Sequence, residues 1–297
     1  MSRRAARPIL AAVLSLAAVA TACAPADDDE TAGTTNSPTG STSDSVDACA
    51  KDSLETLASG TLTIGTDKPA YEPWFVDDDP TNGEGFESAM AYAVAEELGF
   101  AEAEVTWVPV KFDAAIQPGE KPFDFDINQF SITAERQQVV DFSSPYYDVT
   151  QTVITTGGSK AAAATSLADL KGVKLGAQVG TTSLAAINEV IAPSSEAAVF
   201  NSNDDAKIAL ENGQIDALVV DLPTAFFITA AELDDGKIIG QLPAGGGEQE
   251  QFGLLLDKDS ALTDCVSQAV DALRAGGTLD QLEQEWLAQA AGAPVLQ

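Results

Sequence analysis

From residue 57 onward, short apolar runs with strand character alternate with stretches whose apolar residues recur at helical period. The pattern predicts strands at 62–65, 105–108, 125–128, 150–155, 173–177, 199–200, 215–220 and 251–256. Between them it predicts helices at 87–98, 133–139, 181–191 and 204–211, another from 222 onward, and a closing pair at 260–274 and 278–290. Gly99 stops the first of these, Ser166 with Asp169 starts a further one, and Thr278 with Gln281 has the spacing of a capping box. Strands alternating with helices argue for two open α/β sheets with mostly parallel strands.

The pattern also suggests how the chain is divided. Gly157-Gly158 and Gly245-Gly246-Gly247 flank the second block and are natural places to cross between lobes. The expected division is lobe 1 at 49–154 and 252–297, and lobe 2 at 155–251, with 251–256 returning to the first lobe. Two crossovers make a hinge, and the cleft between two such lobes is the expected ligand site. Ahead of the lobes, 24–48 is rich in Asp, Thr, Ser, Gly and Pro and lacks the apolar residues to bury a core. A flexible tether of that length reaches roughly 25–30 Å.

The N-terminus reads as a targeting segment. Arg3, Arg4 and Arg7 precede an apolar stretch at 9–20, which is shorter than the ~20 residues a membrane span needs. The expectation is a signal peptide at 1–22. Ala20-Thr21-Ala22-Cys23 resembles a lipobox, with Ala20 where Leu is usual. Cys23 is then the acylated first residue of a bacterial lipoprotein, and 23–48 is its lipidated tether. The alternative is simple cleavage with Cys23 left free. Export bears on the other two cysteines, Cys49 and Cys265, which are expected to pair outside the cytoplasm. Cys265 lies on an apolar stripe with Leu262, Val266, Ala269 and Leu273, so two buried free thiols are the other reading.

Composition narrows the chemistry. The chain has 15 basic against 46 acidic residues, a net charge of −31, and no histidine. That balance argues against nucleic-acid binding, which needs Lys/Arg patches for phosphate. Without histidine there is no Ser-His-Asp triad, no His general base and no His-ligated metal site. Neither a cofactor nor a metal is expected.

Within 123–147, reading FDFDINQFSITAERQQVVDFSSPYY, a single guanidinium follows a strand and a run of small polar residues. Arg136 is a planar five-donor fork suited to a carboxylate, with Asn128, Gln129, Ser131 and Thr133 nearby. The plainer reading is a surface pair of Arg136 with Glu135 or Asp141.

Taken together, LTIGTDKPAYEPW at 62–74, GFESAMAYAVAEELG at 85–99, NQFSITAERQQVVDFSSPYY at 128–147, LGAQVGTTS at 175–183, IDALVVD at 215–221 and GTLDQLEQEW at 277–286 are similar, in order and spacing, to the extracellular solute-binding proteins of family 3. These are the amino-acid receptors of polar amino-acid ABC importers. The resemblance implies a type II periplasmic-binding-protein fold and a set of roles. Arg136 would clamp the ligand α-carboxylate, helped by Ser131 and Gln129, with Thr181 and Thr182 approaching from a second-lobe helix start. Asp221 would receive the α-ammonium, its plainer role being an N-cap before Leu222-Pro223. Tyr71 and Trp74 resemble an aromatic wall, with lobe packing the alternative for Trp74. Asp67 lies near the same pocket. Asn128, Gln129 and Phe130 stand where small residues are common, which bears on side-chain selectivity. Ala89 replaces an acid usual in the family helix.

The implied partners are a free amino acid, leaning to neutral polar or cationic because Asp67, Glu72 and Asp126 lie near the pocket segments against only Lys68 and Lys111, and the membrane subunits of an ABC permease. A lipid anchor would hold a monomer outside the cytoplasm. The rival readings are a dehydratase-like enzyme on the same scaffold, with Glu72 or Asp67 as acid or base, and a ligand-sensing lipoprotein without transport.

Overall fold

In the computed structural model of the chain, residues 48–244, 249–288 and 292–297 are described. The expected signal peptide and acylated Cys23 lie outside them, as do the tether up to residue 47 and the glycine run 245–247.

In chain order the first lobe contributes β1 (Leu62–Thr66), α1 (Phe86–Glu97), β2 (Val105–Pro109), α2 (Phe112–Ala115), β3 (Phe125–Asp126), β4 (Val140–Phe142) and β5 (Tyr147–Val149). The second contributes β6 (Gln151–Thr156), α3 (Leu167–Leu170), β7 (Leu175–Gln178), α4 (Thr182–Ala186), β8 (Ala198–Phe200), α5 (Asn203–Glu211), β9 (Ala217–Asp221), α6 (Leu222–Phe227) and β10 (Gly236–Gln241). The chain then returns through β11 (Glu250–Phe252) and β12 (Leu255–Asp257) to α7 (Thr263–Gly276) and α8 (Thr278–Trp286).

Among the described residues two five-stranded sheets form, ordered β2-β1-β3-β12-β4 and β10-β6-β9-β7-β8. Each mixes directions. β1 runs parallel to β2 and β3, and β7 parallel to β8 and β9, whereas the returning β12 and the entering β6 pair antiparallel. The expectation of mostly parallel strands thus holds for the βαβ parts and fails where the chain crosses between lobes. Period-two alternation feeds both faces of each sheet. In β9, Ala217 and Val219 enter one lobe-2 core while Leu218 and Val220 enter the other. In lobe 1, Leu254 and Leu256 face the core built with α1 and α7, and Leu255 faces Phe112 and Phe130. Helices cover both faces, which is the layered arrangement such sheets require.

The first crossover falls before Gly157-Gly158 and the second after the glycine run 245–247. β5 and β11 pair antiparallel, Glu250 opposite Val149 and Phe252 opposite Tyr147, and form a two-stranded ribbon between the sheets. Gln151 already belongs to the lobe-2 sheet, opposite Asp221. The division at 154/155 is therefore corrected to the ribbon at 147–150. Gly157 and Gly158 follow β6 inside lobe 2. Assigning 252–297 wholly to lobe 1 is also corrected. Val295 bridges Gln241, the Leu296 N–H donates to the Gln241 carbonyl at 2.9 Å, and Leu296 is buried in a lobe-2 core. Gly240 makes room for this tail, since a Cβ there would stand 2.6 Å from the Pro294 carbonyl oxygen.

Two helix expectations change as well. The stretch 133–139 contains only a short 3₁₀ turn, Arg136–Gln138, with Thr133 Oγ1 accepting the Arg136 N–H. Thr278 does not cap α8. Gly277, at φ 80°, ends α7 and opens α8 at once, so Thr278 sits inside the first turn. Cys49 and Cys265 form a disulfide. No helix among the described residues is long and apolar enough to cross a membrane.

Candidate functional site

The site grows from the end of β3. There Gln129 takes φ +49°, and both its backbone N–H and its side-chain amide donate to Glu87 on α1. Tyr146 donates its hydroxyl to the same carboxylate. Burial raises the Glu87 pKa to about 7, these donors opposing the shift. Asp126 lies beneath, buried, with neither carboxylate oxygen hydrogen-bonded; burial first and Glu87 second push its pKa well up. The Gln129 amide is therefore held by Glu87, while Asn128 and Gln129 form part of the cavity wall.

Beyond this turn, Arg136 is 7% exposed. Its Nη1 donates to the Ser131 carbonyl at 2.7 Å and its Nη2 to the Gly180 carbonyl of lobe 2 at 2.9 Å. The guanidinium carbon lies 5.5 Å from the centre of the Phe112 ring, which stacks on Phe130 at 4.8 Å. The surface-pair reading is not realised. Asp141 is bound by Lys258 at 2.8 Å, and Arg136 is in no ion pair among the described residues. Burial lowers its pKa to about 10, while Glu250 and Asp221 pull the other way, so it stays charged.

Lobe 2 supplies a carboxyl group. Asp221 ends β9, and it does not use its side chain as a helix cap. Instead it accepts from Gln151 Nε2 at 2.7 Å. Burial raises its pKa to about 8, Glu250 adding to the shift and Gln151 opposing it. Gln151 is a hub. Its Oε1 accepts from Ser183, and its Nε2 reaches both oxygens of Glu250 at 3.2 Å and Thr182 Oγ1 at 3.3 Å. Ser131 Oγ donates to Glu250 Oε1 at 2.6 Å and lies 3.1 Å from Thr182 Oγ1.

A cavity between the lobes is walled on one side by Asp67, Tyr71, Phe112 and Gln129, and on the other by Thr182, Asn203 and Asp221. Asp67 accepts the backbone N–H groups of Lys68 and Phe112, and burial raises its pKa despite them. Arg136 and Ser131 are not among the cavity's lining residues, and three further sequence-derived assignments are corrected. Trp74 is wholly buried against Phe86 and Phe252, so it is core. Phe130 supports Phe112 from beneath and does not line the cavity. Thr181 lines the cavity, but its hydroxyl caps α4, accepting from Leu184 N and donating to the Gln178 carbonyl. Gln151, Glu250 and Glu87 were missed. The signal for Gln151 was an amide opening a β-branched strand, QTVITT; for Glu250 there was none, because its place follows from pairing with β5.

Trp74 still reaches across the lobes, its Nε1 donating to Thr224 Oγ1 at 2.8 Å. Thr224→Val leaves that buried donor unpaired, an expected cost of about 1–3 kcal/mol. Calorimetric melting should show a fall of several degrees, and an unchanged midpoint would refute the role. The acid groups add a pH effect. The folded pKa values of Glu87 and Asp221, about 7 and 8, lie above those of ordinary carboxylates. Their stabilising contribution is full below pH ~4 and is lost as pH rises through 7–8. Glu87→Gln is therefore expected to flatten the decline in melting temperature between pH 5 and 8. Parallel wild-type and variant curves would contradict this.

Residues 62–289 match the model of the bacterial extracellular solute-binding proteins, family 3. The chain is 29% identical to an L-arginine-binding protein of Pseudomonas aeruginosa over 75% of this chain and 90% of that protein. It is similar in structure to an ancestral arginine-binding protein bound to glutamine, with TM-score 0.63 and 30% identity over 76% of this chain and 97% of the other. A further similar structure is an ancestral amino acid-binding protein described as a precursor of cyclohexadienyl dehydratase, with TM-score 0.63, 31% identity, and coverage of 76% and 95%.

Proposed function

The chain belongs to the bacterial extracellular solute-binding proteins of family 3, and from that premise we propose that it captures a free amino acid between its lobes and delivers it to an ABC permease. One observation carries the reading: a charged Arg136 of lobe 1 stands near the carboxyl of Asp221 of lobe 2, which ionises when a cation joins it. A zwitterion needs both. The α-carboxylate goes to Arg136 with the hydroxyls of Ser131 and Thr182, and the α-ammonium goes to Asp221. Closure is favoured because only the closed arrangement offers both partners together.

The side-chain end of the cavity has Asp67 and Tyr71, and no cation is among the cavity's lining residues. This favours a neutral polar or cationic amino acid over an acidic one. The names of the similar proteins, which mention arginine and glutamine, support that choice. The protein works outside the cytoplasm as a monomer, held to the membrane by a lipid on Cys23. It performs no turnover.

Mass spectrometry of small molecules released from the purified, unfolded protein tests this reading, together with a thermal-shift screen of the twenty amino acids. A ligand at a hundred times its Kd stabilises by about 2.7 kcal/mol. The expected result is a clear shift with one or a few polar or cationic amino acids, recovered chemically unchanged. No shift with any amino acid would overturn the reading, and recovery of a converted product would favour the dehydratase-like enzyme.

A further inference from the structure

Glu250 stands on the hinge ribbon, outside the residues that the resemblance assigned. Its carboxylate lies within hydrogen-bond reach of the same Gln151 amide nitrogen that donates to Asp221 at 2.7 Å. The two carboxylates are thus within two hydrogen-bond lengths of each other. Gln151 Oε1 accepts from Ser183, so the amide presents its NH₂ to both acids and to Thr182. Two hydrogens cannot satisfy the acceptor capacity of two carboxylates. Ser131 supplies one further donor to Glu250. The other charges facing Asp221 are Arg136, which is bonded to the Ser131 and Gly180 carbonyls, and Glu87. Acceptor capacity is therefore concentrated beside the stretch of cavity wall formed by Asp221 and Thr182, where a small multidentate cation would be complementary.

We propose that Glu250 is the second carboxylate of the ammonium subsite, paired with Asp221 through Gln151, so that the ligand α-ammonium is received by both. The pairing rests on the amino-acid reading above. An ammonium has three donors, enough for one oxygen of each acid and one more acceptor. Burial first, and the neighbouring Glu250 carboxylate second, disfavour ionisation of Asp221, which therefore holds a proton near neutral pH. When the ammonium arrives with all its own protons, the Asp221 proton leaves to solvent. Binding near neutral pH is therefore coupled to proton release, and amino acids are selected over their deaminated counterparts.

The test uses the full chain in titration calorimetry. Its ligands are whichever of L-arginine and L-glutamine binds more tightly, and the matching 2-oxo acid, in buffers of different ionisation enthalpy at pH 7. The wild type is expected to release a substantial fraction of a proton with the amino acid and little with the 2-oxo acid. Glu250→Gln keeps the size and an acceptor for Ser131. It is expected to lower amino-acid affinity at least tenfold, change 2-oxo-acid affinity less than threefold, and abolish most of the proton release. Equal losses for both ligands, or no proton release by the wild type, would overturn the pairing while the amino-acid reading stands. A wild type that binds no amino acid would overturn the reading beneath it, and the pairing with it. The wild-type proton measurement decides even if the variant does not fold.

Discussion

Arg136→Ala is expected to weaken amino-acid binding by at least about 2 kcal/mol, roughly thirtyfold, because a desolvated ligand carboxylate would lose its charged partner. The guanidinium is placed for this by three things. Burial removes competing water, the Ser131 carbonyl fixes its plane, and the Phe112 ring lies against it. Its bond to the Gly180 carbonyl also ties lobe 1 to lobe 2, so the variant loses a closing contact as well. Arg136→Lys should recover only part of the affinity, since a point charge cannot reproduce the two-pronged geometry. Calorimetry on both variants measures this, and unchanged binding in Arg136→Ala would remove Arg136 from the site.

Removing the Cys49–Cys265 bridge should have the largest effect on stability. It joins residues 216 apart, and loop-closure entropy puts its contribution at up to about 5 kcal/mol. Replacing both cysteines by serine avoids leaving one reactive thiol. Chemical denaturation should then show a midpoint far below that of the wild type. Amino-acid affinity should change less than threefold, as neither cysteine lines the cavity. A loss below about 1 kcal/mol would mean that the unfolded chain is already compact, or that the bridge adds nothing to the α7 packing.

Much of this was legible from residue order. Most strands of the two sheets follow from apolar runs, β4 and β10 excepted, and the motif segments bring Thr182 and Asp221 to the cavity wall. The misses have physical causes. A glycine pair marks backbone freedom, and the hinge did not need it: the crossover is an ordered ribbon, held by β5–β11 pairing that no local pattern announces. Trp74 and Phe130 sit in motif segments, but size and apolarity drew both into the cores. Gln151 and Glu250 meet only because two strands from opposite ends of lobe 2 arrive at the same place, and that register is a tertiary fact.

The tail that lies along β10 has a mechanical consequence. Two adjacent cords between two bodies leave them free both to bend toward each other and to twist about the cords. Residues 292–297 come from the lobe-1 helices and end against Gln241, Leu167 and the lobe-2 core, making a third attachment. A body hung at three points keeps bending as its easy motion and gives up much of its twist. Lobe 2 is thus steered, and Asp221 approaches Arg136 along nearly the same path at every closure.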